Sequence, residues 1–443
     1  MPATSKLSKA ILACRLFVNF FRIYSIFVFR NHKAKRLTLP DAPDGTTRNI
    51  VVVGANFAGY LAARIIAINL PPDSPYRVIV VEPNSHFNFT WVLPRFCVVE
   101  GGHEHKAFIP YGPHLNGAPV KWVQDRVAEV ERESVRLEGS GEDIPYEMLV
   151  IATGSGAGDS LPSRVGATSK VDGVRLLRDM QGRIKAARRL LVIGGGAAGV
   201  EVATDAKSLY PEKVVTLVHS REAVMHRFGG ELQAEALKSL RDLGVELILG
   251  DRLDTEDEAT GIATLKSGRA VEYDYILNSR RWKQVRCIGQ RPNSHIIAGL
   301  SKDSITPEGH IKTKPTLQIA DDSLPNVYVC GDVAGCGEQN PNARSAMRKA
   351  MVAADNVVLA TRGEPAKYTY EPFWGEAFIK LTLGMNRSVS HFGDGKTELL
   401  FFQKETDPAL MSERTWRTMG VRPYEDPEFD LAEGGEGGKG RGT

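Results

Sequence analysis

Two glycine-rich turns, each preceded by a run of apolar residues, are the parts of this chain best suited to binding chemistry. One runs from Gly54 to Gly59, and the other has glycines at positions 194, 196 and 199. A helix that begins at such a turn offers a phosphate its unpaired backbone N–H groups and a partial positive charge. Glycines keep side chains away from the turn and the phosphate, so the pattern predicts two dinucleotide sites. The residues expected there are Gly54, Ala55, Asn56, Phe57, Ala58 and Gly59 in the first site and Gly194, Gly196 and Gly199 in the second.

The strand that follows the first turn ends in an acid, Glu82, after the apolar run 78–81. A carboxylate at this position accepts hydrogen bonds from ribose hydroxyls and repels a 2′-phosphate. This favours FAD at the first turn; the alternative is an ordinary surface acid. Asn56 stands where the middle glycine is expected, and we expect the turn to survive because Asn tolerates a left-handed backbone.

The corresponding strand of the second turn ends without an acid, in His219, Ser220 and Arg221. Arg is well shaped to bind a phosphate. Two interpretations stay open. Either these residues meet the 2′-phosphate of NADPH, which is then accepted at least as well as NADH, or they form a basic surface cluster without preference.

Composition limits the class of protein. The chain has 443 residues, a net charge of +3 and 42% hydrophobic residues, which predicts two to three globular domains and gives no reason to expect nucleic acid as a partner. Its five cysteines include no closely spaced pair after the first turn, and Cys330 and Cys336 have no recognisable metal-site spacing. We expect structural thiols, no metal site and a reducing compartment.

The N-terminal segment 1–40 contains eight Lys or Arg residues and no acid, and it includes an apolar, aromatic run. Arg15, Asn19 and Arg22 share one helical face, and the two arginines argue against a spanning helix. Three interpretations compete: an amphipathic helix in a membrane interface, through residues 7–30; a mitochondrial presequence; or a helix packed on its own protein. Membrane association is favoured, at the cytoplasmic face of a membrane or in the mitochondrion.

Two further elements complete the pattern: Ala152-Thr153-Gly154 at the end of a buried strand, and the late Cys330-Gly331-Asp332. Together with the two turns, they resemble the two-dinucleotide flavoproteins. More closely, they resemble the apoptosis-inducing-factor-like oxidoreductases that include the ferroptosis suppressor proteins, from residue 48 to residue 420. The resemblance implies an α/β fold with two Rossmann-like FAD/NAD(P)-binding domains of the three-layer ββα type. The expected divisions are a basic amphipathic helix within 1–40, an FAD-binding domain at 48–160 and 300–365, an NAD(P)H-binding domain at 161–299, a small C-terminal α+β segment at 366–430 and a disordered tail at 431–443.

The resemblance also implies an activity: a hydride passes from NADH or NADPH to FAD, and the electrons pass on to a quinone-type acceptor. Glu201 lies at the start of the helix that follows the second turn. It either orients the nicotinamide or relays a proton; the alternative is that it only stabilises the helix N-terminus as an anion. Lys380 and Trp374 are either contributors on the acceptor side or parts of a packed surface. The residues implied to contact FAD are Arg95, the Val127 backbone, Thr153, Gly154 and Asp332.

Two departures from the family stand out. The chain begins Met1-Pro2 and lacks the Met-Gly myristoylation signal. An Arg- and Lys-rich stretch at 279–286 is either an insertion or a gene-model error. The rival functions are a non-enzymatic, redox-sensing flavoprotein in cell-death signalling and a disulfide reductase, and the absence of a cysteine pair argues against the second.

Overall fold

The structure is a computed structural model that describes residues 6–35, 47–70, 74–112, 120–156, 161–278, 291–337 and 341–434. The stretch 279–286 and residues 435–443 of the expected tail lie outside the described residues. Residues 431–434 of that tail are described, and they belong to the last helix.

A five-stranded parallel sheet is built from strands of the first unit and one late strand. Its strands are β1 (Arg48–Val53), β2 (Tyr76–Val81), β5 (Val120–Val123), β9 (Met148–Ile151) and β20 (Val327–Val329). They lie in the order β20-β9-β1-β2-β5, so the chain returns to this sheet after it has formed a second unit.

Successive residues of β1 face opposite sides of the sheet, as strand geometry requires. Val52 packs with helices α2 (Phe57–Asn69) and α7 (Ala343–Ala360), whereas Val51 packs with an antiparallel meander. The meander consists of β6 (Val127–Val130), β7 (Ser134–Leu137) and β8 (Asp143–Pro145). Helices, parallel sheet and meander are the three layers of the predicted fold.

The second unit repeats this plan with a four-stranded parallel sheet, and Val192 and Leu191 face its two sides. Its strands are β11 (Arg189–Ile193), β12 (Val214–His219), β13 (Glu246–Leu249) and β17 (Tyr275–Asn278). Helices α5 (Ala197–Leu209) and α6 (Gly230–Asp242) cover one side. The antiparallel strands on the other are β14 (Leu253–Asp257), β15 (Ile262–Leu265) and β16 (Ala270–Glu272).

The C-terminal part forms a small antiparallel sheet followed by two helices. Its elements are β22 (Ile379–Thr382), β23 (Arg387–Gly393), β24 (Glu398–Lys404), α8 (Ser412–Thr418) and α9 (Pro427–Gly434). Further helices are α3 (Leu93–Phe96) and α4 (Lys170–Ala186). Short two-stranded ribbons pair β3 (His86–Asn88) with β4 (Phe108–Pro110), β10 (Ser155–Gly156) with β18 (Arg291–Pro292), and β19 (Ile311–Lys312) with β21 (Ala334–Gly335).

The N-terminal segment forms one long helix, α1 (Lys6–Lys35). Its first half contacts the body: Leu12 is buried, Lys9 Nζ lies 2.7 Å from Glu231 Oε1, and the Arg15 guanidinium lies 5.1 Å from the Trp374 ring centre. Large apolar side chains farther along are exposed; they are Phe17, Val18, Phe20, Phe21, Tyr24, Ile26, Val28 and Phe29. Within the described residues, neither this helix nor any other is both long and apolar enough to span a bilayer.

Candidate active site

A cleft of about 1720 Å³ lies between the two parallel-sheet units. Both glycine turns line it, together with Glu201 from α5 and Asp332 from the late Gly-Asp element. Pockets for single small ligands usually measure about 300–1,000 Å³. The larger volume fits two dinucleotides that lie in one site.

The first turn is shaped by close backbone contacts. Gly54 has φ +92°, a conformation that favours glycine, and a Cβ atom at Gly59 would lie 1.8 Å from the Gly54 carbonyl oxygen. Gly54, Asn56, Phe57 and Ala58 line the cleft, whereas Ala55 and Gly59 are outside its lining. The turn therefore packs α2 directly against the strand and leaves its other face open.

Asn56 corrects one expectation. Its φ is −80°, so the left-handed backbone that was expected to explain its tolerance is not used here. Instead Asn56 is the N-cap residue of α2, and its Oδ1 accepts a hydrogen bond from Phe57 N at 3.0 Å. Gly196, the equivalent N-cap of α5, has φ −81°, and a Cβ atom there would meet nothing within 4 Å. A side chain is sterically allowed at this position of the turn.

Glu82 is buried against the first turn and lines the cleft. Its Oε2 accepts a hydrogen bond from Ala55 N at 2.6 Å, and its Oε1 accepts one from Asn84 N at 3.0 Å. Burial raises the pKa of this carboxyl, and the backbone hydrogen bonds oppose the rise. Glu82 thus links the strand end to the turn while facing the expected ribose position.

The second turn has the same construction. Gly194 has φ +118°, and a Cβ atom at Gly199 would lie 1.9 Å from the Gly194 carbonyl oxygen. His219 takes the position of Glu82: its Nδ1 accepts a hydrogen bond from Gly195 N at 3.1 Å. An imidazole therefore replaces the carboxylate beside the second turn.

The remaining FAD-side residues converge on the same cleft, whose lining includes Val127, Thr153, Gly154 and Asp332. Thr153 Oγ1 donates to Asn293 O at 2.8 Å, and Asn293 Nδ2 donates to Thr153 O at 2.9 Å, which fixes the strand exit. Gly331 has φ +78°, which turns Asp332 into the cleft. The geometry thus fits a group that reaches from the first turn past Asp332; the binding roles of these residues stay predictions.

Glu201 is a buried carboxyl at the cleft wall. Its Oε1 accepts hydrogen bonds from Thr382 N at 3.0 Å and Thr382 Oγ1 at 3.2 Å. Burial raises the pKa of Glu201 to about 8, and the nearby Asp205 carboxyl adds to the rise while the Thr382 hydrogen bonds oppose it. At neutral pH this group is mainly protonated and can donate a proton or a hydrogen bond.

Two more predicted residues lie outside the cleft lining. Arg95 is outside the cleft lining; its Nε lies 2.6 Å from Asp205 Oδ2, and its Nη2 donates to Gly384 O at 3.1 Å. Arg221 is exposed and also outside the lining. A direct contact of Arg95 with flavin therefore has no support in this geometry, and the buried ion pair with Asp205 explains its position instead.

The sequence patterns missed a cationic and aromatic part of the wall. Arg344, in the first turn of α7, lies 3.9 Å from the Phe378 ring centre and 5.1 Å from the Trp91 ring centre. All three residues line the cleft, as does Lys380, which the sequence had already suggested as a possible contributor on the acceptor side. Burial lowers the pKa of Arg344 to about 10. The Asn342-x-x-Ser345 capping pattern could have signalled this helix start, but nothing in the motifs placed it at the cleft.

Cysteine and metal chemistry find no support among the described residues. No described cysteine lines the cleft, and no cluster of three or more His, Cys, Asp or Glu side chains is suited to hold a metal ion there or elsewhere in the described chain.

Comparisons with known proteins give a consistent result. The family model described as pyridine nucleotide-disulphide oxidoreductase matches residues 48–356. Fe-regulated protein 8 of Mycosarcoma maydis is 33% identical over 370 residues, which cover 77% of this chain and 88% of that protein. Ferroptosis suppressor protein 1 of Taeniopygia guttata is 28% identical over 388 residues, which cover 85% of this chain and 97% of that protein. The solved sulfide:quinone oxidoreductase of Aquifex aeolicus superposes with a TM-score of 0.65 at 15% identity, over 87% of this chain and 95% of that one.

These likenesses confirm the resemblance, the two-domain α/β fold and the expected coenzymes, FAD with NADH or NADPH. The roles of individual side chains rest on the geometry of the cleft.

Proposed function

The chain belongs to the pyridine nucleotide-disulphide oxidoreductase family, and on this basis we propose that it is an FAD-dependent NAD(P)H oxidoreductase whose acceptor is a quinone. The observation that carries the proposal is the cleft shared by both glycine turns, Glu201 and Asp332. When bound, FAD supplies the redox chemistry, since it accepts a hydride and gives up two electrons.

In this proposal, the protein's own residues hold the two coenzymes and orient them. The N-terminus of α2, after Gly54, would bind the pyrophosphate of FAD, and Glu82 and Asp332 would bind its sugar-derived hydroxyls. The N-terminus of α5, after Gly194, would bind the second dinucleotide in the same way. Because the two turns face one cleft, the two coenzymes would lie together there.

In this proposal, Glu201 is the proton donor to the acceptor. Thr382 occupies its Oε1, so Oε2 is the atom that holds the proton at neutral pH. A quinone that takes up two electrons also takes up protons, and a neutral carboxyl in the cleft wall is suited to deliver one.

The acceptor proposal rests on the rest of the wall. No described cysteine lines the cleft, which favours an external acceptor over a dithiol. Trp91 and Phe378 give this part of the wall an aromatic surface, and the Arg344 guanidinium, which lies against both rings, favours negative charge that develops on a ring oxygen of the acceptor. The likeness to a sulfide:quinone oxidoreductase points the same way.

Helix α1 suggests where the acceptor is found. Its exposed aromatic side chains and its lack of acids suit a membrane interface, where lipid-soluble quinones reside. The proposal therefore includes attachment to a membrane surface, at the cytoplasmic face or in the mitochondrion.

The acceptor is tested by reoxidation. Protein reduced anaerobically with NADPH is mixed with a short-chain ubiquinone or with oxidised glutathione, and the flavin absorbance is followed. The quinone is expected to restore the absorbance and the disulfide is not.

Arg344→Gln is expected to raise the KM for quinone about tenfold without changing the rate of reduction by NADPH. Arg362→Gln, just beyond the C-terminal end of α7, serves as the control. Rapid reoxidation by the disulfide alone would overturn the quinone proposal.

A further inference from the structure

The strand end beside the second turn carries no negative charge. In the first unit, the Glu82 carboxylate accepts a hydrogen bond from the N–H of Ala55. In the second unit, the His219 imidazole accepts a hydrogen bond from the equivalent N–H of Gly195. The carboxylate that would repel a 2′-phosphate is therefore absent from the described wall at this point.

Two segments that are hydrogen-bonded to this turn and strand end each bring an arginine to the cleft. Met225 N donates to Gly195 O at 2.7 Å, and Arg227 follows two residues later. Asp251 N donates to His219 O at 3.1 Å, and Arg252 is the next residue. Both arginines line the cleft, whereas Arg221 does not. These backbone hydrogen bonds thus place both arginine residues near the strand end.

The two arginines are available to an anion. Both are exposed, and neither forms an ion pair with a described residue. Three acids lie nearby: Asp251 accepts hydrogen bonds from Arg252 N and Ser267 Oγ, Asp254 pairs with Lys266, and Glu222 lies against Gly250. None of them forms an ion pair with either arginine, so both guanidinium groups can bind an added phosphate.

We propose that Arg227 and Arg252 bind the 2′-phosphate of NADPH and make the chain prefer NADPH to NADH. The inference rests on the proposed function, because it concerns the nicotinamide-dinucleotide half of the same cleft. A guanidinium presents a planar set of donors that matches a phosphate. The free hydroxyl of NADH offers these cations no charge to bind.

The test uses binding, so it does not depend on flavin or turnover. Calorimetric titration compares 2′,5′-ADP with 5′-AMP, which differ by the 2′-phosphate. Wild-type protein is expected to bind 2′,5′-ADP about tenfold or more tightly than 5′-AMP, since a charge-assisted hydrogen bond contributes about that factor. Arg227→Ala and Arg252→Ala should each reduce the difference, and the double variant should abolish it. Arg252→Lys should retain part of it.

Arg221→Ala is the matched control, because it removes an exposed arginine of the same strand end that does not line the cleft. It should leave the preference intact. Equal wild-type affinity for the two ligands, or a preference lost in Arg221→Ala and kept in the double variant, would overturn the inference. Protein that binds 2′,5′-ADP as expected but contains no flavin would refute the proposed function and leave this assignment standing.

Discussion

At the scale of single residues, the chemistry of the cleft centres on the Glu201 carboxyl and its surroundings. Thr382 donates two hydrogen bonds to one of its oxygens, and Asp205 lies one helical turn away with its charge paired to Arg95. Burial is the largest influence on the pKa of Glu201 and raises it to about 8, so the neutral carboxyl is the preferred form below that pH. A group with this property at a redox cleft is suited to general acid catalysis.

Glu201→Gln should remove this acid with little change in shape. We expect quinone reduction to fall by about a hundredfold. Wild-type activity should decline as pH rises through about 8, and the variant should lack this decline because it has no proton to lose. Steady-state rates between pH 6 and 10 measure both effects. A variant with full activity and the wild-type pH profile would show that Glu201 is not the acid.

The same substitution should change stability with a defined sign. Because the folded-state pKa is raised, the stability from this group is complete below its ordinary pKa of 4.5 and is lost as pH rises through about 8. Glu201→Gln should therefore become progressively more stable than wild type as pH rises, by about 1.4 kcal/mol for each unit of raised pKa. Tm at pH 5 and pH 9 tests this, with the exposed Glu413→Gln as a control that shows no such trend.

The functional residues at the two turns could be predicted from the sequence, but the side-chain contacts between residues far apart in the chain could not. Glycine spacing and the strand-end Glu82 follow from local rules, because one turn and its strand set both. The Thr382–Glu201 and Arg95–Asp205 contacts join residues far apart in the chain. No local pattern signals such pairs, and the expectation that Arg95 contacts the flavin came from the family resemblance alone.

At the scale of elements, two strand–turn–helix units are built on the same backbone contact. A Cβ atom at Gly59 or Gly199 would clash with the carbonyl oxygen of Gly54 or Gly194. Each helix N-terminus can therefore approach its strand and face the cleft. Such units were predictable because apolar runs and glycines alternate in sequence, whereas nothing local showed that β22 would pack beside α5.

Alanine at three glycines should separate packing from binding. Gly199→Ala should disrupt the second turn and abolish nucleotide binding, because its Cβ would lie 1.9 Å from a backbone oxygen. Gly196→Ala has open space and ordinary φ, so it should fold normally but bind the pyrophosphate less tightly. Gly182→Ala, in α4, should leave the second turn and nucleotide affinity unchanged, and it should stabilise the protein by about 0.5–1 kcal/mol. Calorimetric nucleotide titration and Tm check this; unchanged nucleotide affinity in Gly199→Ala would contradict it.

At the scale of the whole molecule, α1 is tied to the second unit at its start and exposes aromatic residues farther along. Lys9 contacts Glu231 of α6, whereas Phe17 and Phe21 are 72% and 64% exposed. Such exposure is costly in water and favourable at a lipid interface. The cleft would thereby be held near a membrane that contains its acceptor.

Phe17→Glu combined with Phe21→Glu should weaken membrane binding at least tenfold, because two apolar side chains are lost and two like charges meet anionic lipid. Flotation with phosphatidylcholine–phosphatidylserine vesicles measures this. Tyr368→Glu, at an exposed aromatic residue away from α1, is the control. Reduction of a short-chain quinone in solution should be unchanged in all variants. Wild-type protein that stays with the soluble fraction would refute the membrane part of the proposal.

The central claim, that one cleft brings FAD and a nicotinamide dinucleotide together, is tested most directly by anaerobic mixing of the purified protein with NADPH. Absorbance of the flavin band is followed in a stopped-flow instrument. The predicted result is a yellow protein with about one FAD per chain, whose band bleaches on a catalytic timescale. A colourless protein that takes up no FAD, or a bound flavin that neither NADPH nor NADH bleaches, would contradict it.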